Sequence, residues 1–281
     1  MFEKYQFPLC IYGEKNVFDN LRRISGLTRI MWQSPDAHPL NAENLNGLIE
    51  NRIPLIRVPN FGTKREVGEI ASRFLSFANR TNSIKSVTRL GISQYEQGMV
   101  AGKDNYFNLV EQAQNNLLKV CETTFNPVMK MIDLLSQYYA DVAILTEAGY
   151  GPYFAGVAKL RTGKTPVHSD FPLFGATDWA IAQMIAQLSW NFYLRLPSEG
   201  GELRIWDRLW QEEDDRYLID GMYYHDESVV GNASFVDVKP ILGEAIIFNS
   251  RNYHTVLPTQ NRIAVGSWIS LMPDMSLRLW S

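Results

Sequence analysis

Cysteine is almost missing from this 281-residue chain; Cys10 and Cys121 are too few and too far apart for a disulfide framework. No stretch approaches the roughly 20 consecutive apolar residues of a membrane-spanning helix. The opening MFEKYQFPLC, with Glu3 and Lys4, holds no apolar run of the kind a signal peptide needs. Charge of one sign is equally scarce. Against 27 Lys and Arg stand 30 Asp and Glu, a net charge of −3 with no basic run, so no nucleic-acid footprint is expected. Internal repeats and low-complexity linkers are missing as well. These absences predict a soluble, cytoplasmic protein in a reducing compartment, without nucleic acid or membrane as partner, and they leave the oligomeric state open.

What the chain does have is material for a core: 46% of its residues are apolar and 20% charged, which excludes disorder. Residues 1–150 read as mainly helical. KREVGEIASRFLSFANR (64–80) sets Val67, Ile70, Ala71, Phe74 and Phe77 at helical spacing. Residues 105–122 and 127–140 repeat the pattern, with a break at Asn126-Pro127, where proline suits a first helical turn. IPLIRVPNF (53–61) reads as a short buried strand. From residue 151 the texture changes. Aromatic and β-branched runs at 153–160, 187–196, 201–206, 233–238, 244–249 and 262–271 alternate with Gly, Pro and Asn. The predicted fold is α+β with a mainly β core, a sandwich or barrel closed on itself and buttressed by the N-terminal helices. One catalytic unit over 1–281 is expected, its core in 151–281 interrupted by an insertion, 207–232, that is long for a hairpin and suits a lid.

The spacing that carries chemistry is His168-Ser169-Asp170, followed 84 residues past Asp170 by His254 and then by Arg262. Two neutral imidazoles and a carboxylate on one face of a ferrous ion leave its other positions open for O₂. Residues two apart on an extended strand point the same way, so His168 and Asp170 can converge while Ser169 turns aside. An H-x-D triplet alone is weak evidence, and a loop His168 or a core His254 is the plainer alternative. The flanking Phe171, Pro172, Tyr253 and Val256 place both candidates in apolar surroundings, where an aspartate without a cation costs several kcal/mol. His38, before Pro39, and His225, beside Asp226, read as loop, solvated or lid residues.

Arg262 suits a dicarboxylate co-substrate, since a guanidinium grips a carboxylate bidentately. The charges of a ferrous ion, Asp170, a 2-oxo dicarboxylate and Arg262 cancel. Asn191 is a weaker candidate for a co-substrate or substrate hydrogen bond, its strand parity not fixed by sequence. Lys159 and Arg161 share a parity and could meet an anion, although a solvated face is the simpler expectation. Trp190, Trp206, Trp210, Phe248 and Trp268 read mostly as core, and the acids Glu212, Glu213, Asp214 and Asp215 as wet surface.

LRTGKTPVHSD (160–170), LSWNFYLRLPSEGGELRIWD (188–207) and VKPILGEAIIFNSRNYHTVLPTQNRIAVGSW (238–268) resemble the Fe(II)/2-oxoglutarate-dependent oxygenases with a double-stranded β-helix (jelly-roll, cupin-like) core. The P-x-x-G-x-A-x-x-F run before His254 and the Gly-Gly-Glu-Leu turn are the more specific parts. Together with ENRIPLIRVPNFGTKREVGEIASRFL (50–75), they are similar to the bacterial branch of N-substituted amino acid hydroxylases and aliphatic indole-alkaloid halogenases. The resemblance implies that His168, Asp170 and His254 bind iron and that Arg262 anchors the 2-oxoglutarate C5 carboxylate. It further implies oxidation of a small molecule such as an amino-acid derivative or specialised metabolite, using O₂ and releasing succinate and CO₂. Two departures matter. Members often carry Ser or Thr two residues past the arginine, where this chain has Ala264. The halogenases replace the carboxylate ligand by Gly or Ala to admit chloride, so Asp170 favours hydroxylation or a related oxidation. A cupin-like metalloenzyme without 2-oxoglutarate, and a non-catalytic binding protein on the same fold, are the alternatives.

Overall fold

Two long antiparallel strands organise the computed structural model, which describes residues 32–80, 87–170, 176, 178–219 and 223–281. Cys10, Phe171 and Pro172 lie outside them. Strand β7 (Val157–His168) pairs with β12 (Asn252–Leu271) from Val157↔Gly266 to His168↔His254. Strands this long cannot stay flat, because each carries a right-handed twist. β12 accordingly slips register against β7 three times between His254 and Arg262. Its first residues pair with β9 (Leu203–Leu209); from Ile263 onward it pairs with β8 (Ala186–Arg195), and its end with β13 (Leu277–Trp280).

β12 therefore passes from one wall of a closed sheet to the other. One wall continues from β8 through β11 (Ala245–Phe248) and β2 (Leu55–Val58) to β1 (Ala37–Pro39); the opposite wall continues from β9 to β10 (Phe235–Val238). β3 (Val87–Leu90) borders β7, and β4 (Val142–Ile144) borders β13; β5 (Thr146–Glu147) and β6 (Gly151–Pro152) form a separate small ribbon. This is the expected double-stranded β-helix.

Burial on both faces explains the apolar runs. In β11, Ala245 and Ile247 belong to the cluster shared with the helices, while Ile246 and Phe248 join Leu55, Tyr193, Leu203 and Ile205 inside the sheet. Four helices, α1 (Ala42–Ile49), α2 (Lys64–Arg80), α3 (Met99–Cys121) and α4 (Pro127–Leu135), complete the outer layer. Val67, Ile70, Ala71 and Phe74 on α2 are buried, as the periodicity predicts. A fully buried side chain of this size contributes about 1.5–3 kcal/mol. Phe61 packs 4.9 Å from Phe192 and 6.0 Å from Trp190, joining the helical layer to β8. Asn126 caps α4 by accepting from Val128 N at 2.9 Å, ahead of Pro127.

Several elements differ from the sequence reading. β1, β3, β4 and β13 are three or four residues long, too short for periodicity to reveal. α4 stops at Leu135 instead of reaching 140, and α3 is broken at Gly102, whose φ is 87°. The strand expected at 153–160 runs on to His168 through polar RTGKTP because β12 pairs along it. Gly200 turns β8 into β9 with φ +73°; a Cβ there would lie 2.2 Å from the Pro258 carbonyl oxygen. Among the described residues, no helix is long and apolar enough to cross a membrane.

Candidate active site

The pairing of His168 at the end of β7 with His254 near the start of β12 puts two imidazoles side by side, ring centroids 4.2 Å apart. Asp170 follows at the mouth of the closed sheet, its backbone N donating to Ser250 O at 2.8 Å and its carbonyl accepting from Gln187 Nε2 at 2.7 Å. The residue between them turns aside as expected, Ser169 Oγ donating to Arg251 O at 3.0 Å. His168 Nε2 lies 3.8 Å from Asp170 Oδ1, and His254 Nε2 lies 3.6 Å from Oδ2. One ligand atom from each residue falls within 4.8 Å of the others.

The tautomers suit a metal. His168 Nδ1 donates to Pro166 O at 2.8 Å and His254 Nδ1 to Asn252 O at 2.9 Å, since a carbonyl can only accept. Each Nε2 lone pair is thereby aimed at the common point, the usual arrangement of metal-bound histidine. Burial, and then the neighbouring His254, push the His168 imidazole down to about 3, so it is neutral and free to donate its lone pair. Burial opposes ionisation of Asp170. The polar groups around it, the His254 and His168 rings and the Trp268 N–H, together outweigh that burial and hold the carboxyl below its ordinary range. Two imidazole nitrogens and one carboxylate, with a cavity on the remaining side, fit a ferrous ion.

That cavity has a volume of about 440 Å³, and His168, Asp170, His254, Arg262 and Asn191 all line it. Arg262 is buried, 6% exposed, and not a surface strand arginine. Its guanidinium carbon sits 4.9 Å from the Tyr193 ring centroid, and its Nε has no hydrogen-bond partner. A buried donor left open in this way points to a missing acceptor. Asn191 shares its strand parity with Ser189 and Gln187, and all three line the cavity. Gly266 opposite makes room for it: a Cβ there would lie 3.0 Å from Asn191 Oδ1 and 2.3 Å from Trp190 O.

Other expectations need correcting. Lys159 and Arg161 do not lie on a solvated strand face; both line the cavity, because β7 turns that face inward. Lys159 stands directly across from Ala264. His225 is not solvated but 3% exposed, its ring 5.1 Å from that of Tyr253, and it takes no part in the ligand cluster. His38 belongs to β1. Asp214 is buried and accepts from Arg208 Nη2 at 2.5 Å and Tyr253 OH at 3.2 Å, so it is no part of a wet acidic face. Trp206 and Trp210 pack outside β9 with Val167 and Tyr253. Phe248, Trp190 and Trp268 do line the cavity.

The sequence reading passed over Arg89, Tyr95 and Glu96, along with the roles of Tyr223 and Tyr224 within the insertion; all five line the cavity. Tyr223 and Tyr224 stand edge-on to His168 at 5.2 and 5.7 Å. The alternation Gln187-x-Ser189-x-Asn191 in an otherwise apolar strand was a readable sign of an inward polar face. Arg89 gave no such sign, since its four-residue strand is defined only by pairing with β7.

Comparison with known proteins agrees with this geometry. The family described as carrier-protein-independent halogenase WelO5 matches residues 37–281. The leucinostatins biosynthesis cluster protein S of Purpureocillium lilacinum is 29% identical over 208 residues, covering 68% of this chain and 84% of that protein. The L-γ-glutamyl-L-propargylglycine hydroxylase of Streptantibioticus cattleyicolor is 26% identical over 182 residues, covering 63% of this chain and 67% of that protein. Among solved structures, an N-substituted L-amino acid dioxygenase from Burkholderia ambifaria AMMD shares the fold with a TM-score of 0.55 at 15% identity, covering 85% of this chain and 91% of that one. Its complex with α-ketoglutarate gives a TM-score of 0.51. The chain belongs to the WelO5 halogenase family, and is an oxidoreductase of the iron(II)- and 2-oxoglutarate-dependent oxygenase class.

Proposed function

We propose that His168, Asp170 and His254 hold the iron, that Arg262 receives the C5 carboxylate of 2-oxoglutarate, and that the enzyme hydroxylates a C–H bond of a small molecule. The observation that carries this reading is the convergence of two pre-oriented Nε2 atoms and one carboxylate within 4.8 Å. Iron bound there supplies reductive activation of O₂, coupled to conversion of 2-oxoglutarate into succinate and CO₂. The protein supplies the rest: position, dryness and orientation.

Asp170 decides between the outcomes open to this family. Its carboxylate stands where the halogenases leave space for chloride; Trp268 holds the carboxylate and Gln187 the backbone carbonyl of the same residue. Hydroxylation therefore fits better than halogenation. The names of the hydroxylase relative and the amino-acid dioxygenase neighbour point the same way. Tyr223 and Tyr224 press on His168 from the insertion and shield it from water, so the insertion serves as a cover. Core, helices and cover work as one catalytic unit, and Asn191 offers its amide to co-substrate or substrate. A cavity of about 440 Å³ suits 2-oxoglutarate beside a compact substrate group.

Anaerobic titration with Fe(II) and then 2-oxoglutarate is expected to give the visible charge-transfer band of a chelated keto acid. Aerobic incubation with amino-acid derivatives and alkaloids is expected to release succinate together with a hydroxylated product. Productive turnover independent of 2-oxoglutarate would refute the reading.

A further inference from the structure

The strand ladder gathers positive charge to a degree the iron and its co-substrate do not use. On β3 and β7, Arg89 stands across from Lys159; on β7 and β12, Arg161 stands across from Arg262. All four line the cavity. Like charges directly opposite each other on neighbouring strands are destabilising. Glu96 offsets Arg89 through an ion pair at the rim, where the glutamate is 43% exposed. Among the described residues, no acidic side chain pairs with Lys159, Arg161 or Arg262. The remaining acid of the cavity, Asp170, faces the two imidazoles.

Four cationic side chains face two acidic ones, Glu96 and Asp170. A ferrous ion adds two positive charges and 2-oxoglutarate removes two, so the side chains taken by themselves keep an excess of two. Burial, then Arg89 and Arg161, push the Lys159 ammonium down to about 7, so it sheds part of its own charge, while Arg161 has no acidic partner among the described residues. Position separates the roles. Arg262 stacks on Tyr193, within the cluster deep inside the sheet. Arg161 has Tyr223 and Tyr224 of the insertion as its neighbours, and Arg89 pairs with exposed Glu96, so both belong to the outer part of the cavity.

We propose that the substrate is a carboxylate-bearing small molecule, its carboxylate held by Arg161 with support from Arg89, while Arg262 serves the co-substrate. This rests on the reading that iron and 2-oxoglutarate occupy the same cavity. A guanidinium matches a carboxylate with two parallel N–H···O bonds and suits such an anion better than an ammonium does. Phe248, Val157, Trp268 and Tyr95 complete the lining and suit an apolar remainder. Neutral or cationic alkaloids leave Arg161 without an anion and are disfavoured.

The test uses anaerobic protein loaded with Fe(II) and 2-oxoglutarate. It is titrated with N-acetylated L-amino acids, each matched with its carboxamide, and with neutral indoles. Binding is read from the perturbed charge-transfer band and from tryptophan fluorescence. At least one acid is expected to bind about ten-fold or more tightly than its amide, the scale of one charge-assisted contact. Arg161→Gln is expected to erase that preference with the 2-oxoglutarate band and the melting temperature retained; Arg89→Gln, at the rim, is expected to weaken it. Equal binding of acid and amide, preference for the neutral probes, or no acid bound at millimolar concentration each overturns the proposal. Absence of the band even before titration counts against the iron and co-substrate reading instead, and fluorescence then still reports the acid-to-amide preference.

Discussion

The indole N–H of Trp268 donates to Asp170 Oδ2 at 3.1 Å, so the carboxylate of the ligand cluster is held by a residue from the far half of β12. One Asp170 oxygen is thereby oriented before any metal arrives. Groups that orient metal ligands typically govern about 10–100-fold in metal affinity. Trp268→Phe, which keeps the ring and deletes the donor, is expected to weaken Fe(II) binding within that range and to leave the fold intact. Metal titration followed by competition with a chelator measures it; unchanged affinity would remove Trp268 from the account.

Arg262→Gln is expected to raise the 2-oxoglutarate requirement by about 10–150-fold, corresponding to about 1.5–3 kcal/mol for a hydrogen bond to a charged group. Iron binding should stay as it was, because Arg262 is not part of the His168, Asp170 and His254 cluster proposed to hold the metal. Separate titrations with Fe(II) and with 2-oxoglutarate distinguish the two effects. A shift in iron affinity alone, with the co-substrate requirement unmoved, contradicts the assigned role.

Asp170→Gly opens the position that the halogenases use, and it also frees the Trp268 N–H, an indole donor with no acceptor of its own left. That donor now faces the vacated position and can bind a halide. The variant is expected to keep iron through His168 and His254 with reduced affinity and, given chloride, to form chlorinated as well as hydroxylated product. Mass spectrometry of products made with chloride and with a halide-free salt decides the matter; exclusively hydroxylated product in chloride counts against a ready-made halide pocket.

The ammonium of Lys159, pushed down to about 7 by burial and by Arg89 and Arg161, also faces Asp170 and Arg262. At pH 8 it is mostly neutral. An anion bound nearby favours the charged form and raises the value again. Binding of 2-oxoglutarate at pH 8 is therefore expected to take up a fraction of a proton, with affinity falling as pH rises through 7. At pH 5.5, where the lysine is charged beforehand, the uptake should vanish. Calorimetry in buffers of different ionisation enthalpy measures this, and Lys159→Met should abolish it. Proton release at pH 8, or uptake unaffected by the substitution, contradicts the placement.

Sequence alone fixed the local facts. Period-3.6 patterning marked α2, aromatic and β-branched runs marked β8 and β11, and the H-x-D triplet with a distal histidine named three ligand candidates, because each depends on neighbours a few residues apart. Tertiary structure decided everything that depends on pairing between distant strands. β3 is a strand only because β7 lies beside it, and Lys159 and Arg161 face the cavity only because β7 follows β12 around the bend. His225, polar in its sequence context, is buried because the insertion folds back onto Tyr253. A side chain's period along one strand is local, but which face turns inward is set by closure of the whole sheet, and that closure gathered the cations around His168, Asp170 and His254.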